Sequence, residues 1–126
     1  MKLFATTLAL CSLAAAADAQ QPNPRVAPPD MQAITPPLAT YTDDVLFGDV
    51  WKRTELPARD RSLITVASLI TSSSFEQLPN HLRLARRNGL TETELKEAII
   101  HLAFYAGWPK AMSAIQAAKT IFAEDQ

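Results

Sequence analysis

From residue 38 onward the apolar positions of this chain recur at helical intervals. The clearest run follows Thr91-Glu92-Thr93-Glu94, where Leu95, Ala98, Ile99, Leu102, Ala103 and Ala106 fall at i, i+3, i+4, i+7, i+8 and i+11. That spacing predicts an amphipathic helix, and the Thr-x-x-Glu ahead of it predicts a capping box. Just upstream, "LPNHLRLARRNG" reads as a helix starting near Glu76 to Leu78, because Pro79 fits only a first turn. Gly89 should close it in a left-handed conformation, with Arg86 and Arg87 at its negative dipole end. Residues 61–73, "RSLITVASLITSS", are apolar on nearly every side, which predicts a helix that is central or lies in an interface. Their Ile, Thr and Val content also suits a strand, but thirteen residues is long for one and no partner strand follows. Over 38–53, Leu38, Tyr41, Val45, Leu46 and Trp51 make a loose stripe with Gly48 weakening its middle.

The last helix opens at Pro109 and presents Ala111, Met112, Ile115, Ala118, Ile121 and Phe122. Between it and the preceding helix stand Gly107, Trp108 and Pro109. Gly107 should end one helix, Pro109 start the next, and Trp108 plug the elbow between them. The fold class is therefore all-α, a small bundle of about five to six helices. Five short helices leave little core for one chain, and a helix apolar all round needs cover on opposite sides, so an oligomer is expected.

Two segments lie outside that pattern. Residues 1–19 read as a signal peptide: Lys2 is a short basic start, residues 3–16 are apolar, and Ala17-Asp18-Ala19 is a small-x-small cleavage site. The expected location is therefore secreted or periplasmic, although an uncleaved anchor is the competing reading. Residues 20–37 hold six prolines and no hydrophobic period, which predicts an extended linker, or an arm packed along a neighbouring subunit. Residues 38–126 then form the folded domain.

Composition narrows the chemistry. Cys11, the only cysteine, leaves with the leader, so the remaining chain has no thiol, disulfide or cysteine metal site. Without Lys2 and Asp18 the 12 basic and 13 acidic residues become 11 and 12, still a net charge of -1. Nothing in that balance points to nucleic acid or an anionic membrane as partner. No phosphate loop, His-Glu-x-x-His helix, nucleophile elbow or repeat is present.

The stretches "RDRSLITVASLI" and "LPNHLRLARRNGLTETELKEAIIHLAFYAGWP" resemble the carboxymuconolactone decarboxylase family. The pattern comprises Arg61 before an apolar helix, His81, Gly89-Leu90-Thr91, Glu94, Glu97, Tyr105, Gly107 and Pro109, and the resemblance covers roughly residues 38–123. It implies an all-helical subunit assembled as a trimer or hexamer, with pockets between subunits. One branch of the family reduces peroxides through Cys-x-x-Cys-x-x-x-His. Here the positions seven and four before His81 are Ser74 and Gln77, which cannot form a disulfide, so that activity is excluded. The thiol-free branch implies decarboxylation of a small carboxylated unsaturated lactone, a pathway of aromatic-compound catabolism inside cells, with which an export leader sits awkwardly.

That reaction needs no organic cofactor, because the conjugated lactone carbonyl accepts the electrons. It needs a cation for the substrate's acidic groups, a donor for the oxyanion and an acid to return a proton to carbon. His81, on the border of an apolar helix face, is the expected acid, and Arg61 the expected carboxylate or oxyanion anchor. Each also has a structural reading: His81 as a satisfied rim residue, Arg61 as an ion-pair partner of Asp60, Glu94 or Glu97. Glu76 could orient His81 or be an exposed first-turn acid. His101, Tyr105 and Trp108 are candidate substrate-binding residues, with elbow packing as the alternative. No metal ligand set is expected. A catalytically silent member that binds a small acid or a protein partner is the second functional reading.

Overall fold

The computed structural model describes residues 25–124, and the expected leader, its cleavage site and Cys11 lie outside them. Six α-helices follow one another: α1 Pro29–Ile34, α2 Pro36–Thr40, α3 Ala58–Thr71, α4 Leu78–Arg87, α5 Glu92–Tyr105 and α6 Trp108–Ala123. A π-helical turn, Tyr41–Leu46, and a 3-10 turn, Val50–Lys52, link α2 to α3. Among the described residues there is no strand, and no helix is long and apolar enough to cross a membrane.

Helices α3 to α6 build the core. Val66 and Ile70 of α3, Leu78, Leu82 and Ala85 of α4, Leu95 and Ile99 of α5, and Ala111, Ala114, Ala118 and Ile121 of α6 are all buried together. Helix α3 touches α4, α5 and α6, which explains its nearly uniform apolar sequence. It is nevertheless not covered on all sides, since Ile64 remains exposed.

The helix ends follow the sequence closely. Gly89, at φ 99°, closes α4, with Gly89 N–H donating to Arg86 O at 3.0 Å and Leu90 N–H to Ala85 O at 3.0 Å. Thr91 and Glu94 form the expected capping box: Glu94 N–H donates to Thr91 Oγ1 at 3.1 Å, and Thr91 N–H to Glu94 Oε2 at 2.8 Å. Between α3 and α4, Ser73 adopts φ 62° while Ser73 N–H bonds Ile70 O and Ser74 N–H bonds Leu69 O. The serine triplet is thus a helix-closing motif with serine in the place glycine usually fills.

Residues 25–46 depart from the extended linker expected over 20–37. From Pro29 the chain is helical, because Pro29 and Pro36 occupy first-turn positions where a missing N–H costs nothing. Val26 and Ala27 donate their N–H groups to Asp43 Oδ1 at 2.7 and 2.8 Å, folding the arm back on its own π-helical turn. Helices α1 and α2 and that turn pack on one another, and the arm meets the bundle mainly where the 3-10 turn touches α3. The stripe from Leu38 to Trp51 is accordingly not one helix. It breaks after Leu46, and Phe47 stacks on Trp51 across the break at 5.9 Å.

Candidate active site

His81 sits in the first turns of α4, on the flank of Leu78, Leu82 and Ala85, which are buried. The side chain is half-buried, and its Nδ1 is shielded from solvent yet has no hydrogen-bond partner among the described residues. Burial pushes its pKa below the ordinary histidine value, since desolvation disfavours the imidazolium. The ring is therefore neutral near pH 7. Glu76 does not orient it: that carboxylate lies exposed in the turn ahead of α4, and the histidine nitrogen stays unpaired.

Arg61 is turned toward the approach to α3. Its Nε donates to Leu56 O at 3.1 Å and one Nη to Arg53 O at 3.5 Å, so the guanidinium clamps the 53–57 loop. The ion pair considered for Arg61 is made instead by Arg59, which bridges Asp60 and Glu94. Glu94 is consequently held below the usual carboxylate range, chiefly by the Thr91 N–H, then by the Thr91 hydroxyl and Arg59. Sequence reasoning missed Arg59 because Arg59 and Arg61 flank Asp60 equally, and only the helix phase distinguishes them.

Among the described residues no hydrogen bond joins Arg61 to His81. Asn88 Nδ2 donates to the buried Ser62 Oγ at 2.9 Å, pinning the start of α3 beside the end of α4. His81 precedes Asn88 by seven residues, about 10 Å along the axis.

The third group lies on the α5–α6 hairpin. His101 and Tyr105 stack with centroids 4.5 Å apart instead of sharing a polar contact. Trp108 is not a plug. It is 63 % exposed and stands edge-to-face with Phe104, ring centroids 6.5 Å apart. The elbow is made by backbone: Gly107 has φ 109° and ψ 142°, a region other residues rarely enter, and Lys110 Nζ donates to Thr71 O at 2.5 Å, tying α6 to the end of α3. Met112 and Ile115, expected in the core face of the last helix, instead point partly to solvent. With Ile100, Phe104 and Trp108 they line a cavity of about 260 Å³ that shares Ile99, Ile100 and Ile115 with a second of about 480 Å³. His81 lines neither, nor a cavity of about 450 Å³ in the arm or one of about 440 Å³ beside Arg83 and Arg87. Among the described residues no three His, Cys, Asp or Glu side chains gather as metal ligands.

Residues 36–120 match the model of the carboxymuconolactone decarboxylase family, a span from the start of α2 to the last turns of α6. The chain belongs to that family. Among its relatives, a 4-carboxymuconolactone decarboxylase of Acinetobacter baylyi is 42 % identical over 76 residues, 60 % of this chain and 57 % of its own length. A nitrosuccinic acid decarboxylase of Metarhizium robertsii is 41 % identical over 69 residues, 55 % of this chain and 48 % of its own. An uncharacterised 15.0 kDa protein of Paracoccus denitrificans is 29 % identical over 108 residues, 82 % of this chain and 81 % of its own. The chain thus spans about half the length of the two named decarboxylases. The carboxymuconolactone decarboxylase match includes α2 and the π-helical turn but leaves out residues 25–35, so α1 is the described element outside the family span.

Proposed function

We propose that this chain is a carboxy-lyase that removes carbon dioxide from a small carboxylated acid, a carboxylated unsaturated lactone being the preferred substrate, with His81 as the proton donor. The observation that carries the reading is the half-buried His81 imidazole whose shielded Nδ1 has no hydrogen-bond partner among the described residues. Similarity to two proteins named as decarboxylases supports the reaction class.

The chemistry balances on one proton. The carbon–carboxylate bond breaks, carbon dioxide leaves, and its bonding pair passes into the conjugated lactone carbonyl as a dienolate. An imidazolium then gives a proton to carbon and is recharged from solvent, so one proton is consumed per turnover. A histidine that is neutral when free is suited to this, because a bound carboxylate raises its pKa and recruits the proton as the substrate arrives. Arg61 serves as the anchor of a substrate carboxylate. In the proposed pocket His81 comes from one copy and Arg61 from another, since the hydrogen bonds of Arg61 within its own chain go to Leu56 O and Arg53 O and none joins it to His81.

A panel of carboxylated lactones and small nitro or keto acids, assayed for carbon dioxide release, tests the reading. The expected result is turnover by the wild type and none by His81→Ala, with folding unchanged. Wild-type rate in His81→Ala would remove the acid from the proposal. No turnover of any member would leave a protein that binds small acids without transforming them.

A further inference from the structure

Two apolar surfaces of this chain face solvent, and neither is covered by other described residues. The first is on the arm, where Ile34, Leu38, Tyr41, Val45 and Leu46 are all exposed, Ile34 to 79 %. Leu38, Tyr41 and Val45 follow one another at helical spacing, so they present a single stripe. The second is the trough between α5 and α6, where the two cavities of about 480 and 260 Å³ run together. Phe104, 79 % exposed, Trp108, Met112 and Ile115 line or rim it. Patches of this extent on a small soluble chain mark an interaction site.

We propose that the arm of one copy lies in the α5–α6 trough of a second copy, so that the chains assemble by exchanging arms. Three observations choose this occupant. The arm's substantial contact with its own bundle is at α3, not at α5 or α6, so its stripe is presented away from its own trough. Charge is complementary: the helical part of the arm, residues 29–46, contains Asp30, Asp43 and Asp44 and no Lys or Arg, with Asp43 already engaged by Val26 and Ala27, whereas Lys96 and Lys119 rim the trough. Lys96 is paired with Glu92 at 2.5 Å, which leaves Lys119 to meet an incoming carboxylate. Size agrees as well. The rod formed by α2 and the π-helical turn has eleven residues, about 16 Å at helical rise, and α6, at sixteen residues, offers a floor of about 24 Å.

Photocrosslinking of the full chain tests this without any assay of activity. With p-benzoylphenylalanine in place of Tyr41, and equal amounts of light and nitrogen-15-labelled chains, irradiation should give a covalent dimer joining differently labelled copies. Its adduct should map to peptides within residues 97–118. The reciprocal probe at Phe104 should return the same pair from the other side, which guards against one probe disturbing folding. Leu38→Asp with Val45→Asp should weaken self-association at least tenfold by sedimentation while leaving helix content unchanged. Adducts confined to one labelled chain, adducts elsewhere on the partner, no adduct in an assembled sample, or a monomer throughout the micromolar range would each overturn the exchange.

Discussion

Single residues divide here into those that shape the backbone and those held ready without a partner. Gly107 is of the first kind. A Cβ at that position would meet nothing closer than Pro109 Cδ at 4.0 Å, so space is not the constraint; its φ of 109° is. Gly107→Val is expected to cost about 1 to 3 kcal/mol in thermal or urea unfolding, all of it conformational strain. Trp108→Ala is expected to cost less than about 0.5 kcal/mol when copies are kept apart by dilution, an order below the loss from a buried tryptophan. His81 is of the second kind, and its depressed pKa ties it to pH. A histidine that charges less readily in the folded chain binds more protons unfolded, so its effect on stability is absent above the ordinary value of 6.5 and destabilising below it. The melting temperature should therefore fall as pH drops from about 6.5, and His81→Ala should flatten that segment of the profile.

At the scale of elements, what a local signal specifies was legible and what packing specifies was not. The Thr91–Glu94 box, the Gly89 terminus, the Pro79 start and the α5 stripe were all readable, because each is decided within a turn or two of chain. Thr91→Ala removes the acceptor for Glu94 N–H and the hydroxyl donor to the Glu94 carboxylate, leaving that carboxylate held by the residue-91 N–H and Arg59, so a loss of about 1 kcal/mol is expected from chemical denaturation. The arm was misread as extended because prolines break helix interiors but suit first turns, and composition alone does not say which position each holds. The α6 face was half right for a related reason. Ala111, Ala118 and Ile121 are buried as expected, but the apolar Met112 and Ile115 belong to a second stripe that no periodicity could assign to core or to surface. The same limit governed the candidate site. Residue types and spacing singled out His81, while its distance from Arg61 depends on the α3–α4 hairpin, which the Ser62–Asn88 hydrogen bond registers from residues 26 positions apart.

For the whole molecule, a pocket that draws Arg61 and His81 from different copies makes assembly part of the chemistry proposed for it. Mixing His81→Ala with Arg61→Ala, each inactive alone, should restore turnover once copies have exchanged, because some pockets would then combine an intact histidine with an intact arginine. Failure of any pairing to recover activity would place both groups in one chain's pocket, or neither in it. The arm adds a separate consequence. It is reached through residues 53–57, where Arg53, Thr54, Glu55 and Pro57 are exposed and Arg61 grips the carbonyls of Arg53 and Leu56. A basic, exposed joint of this kind is where a protease cuts first, and seating the arm on a neighbour would hide it. The half-life of such a protein would then rise with its own concentration: abundant copies would shelter one another, and scarce ones would be trimmed to a bundle without an arm.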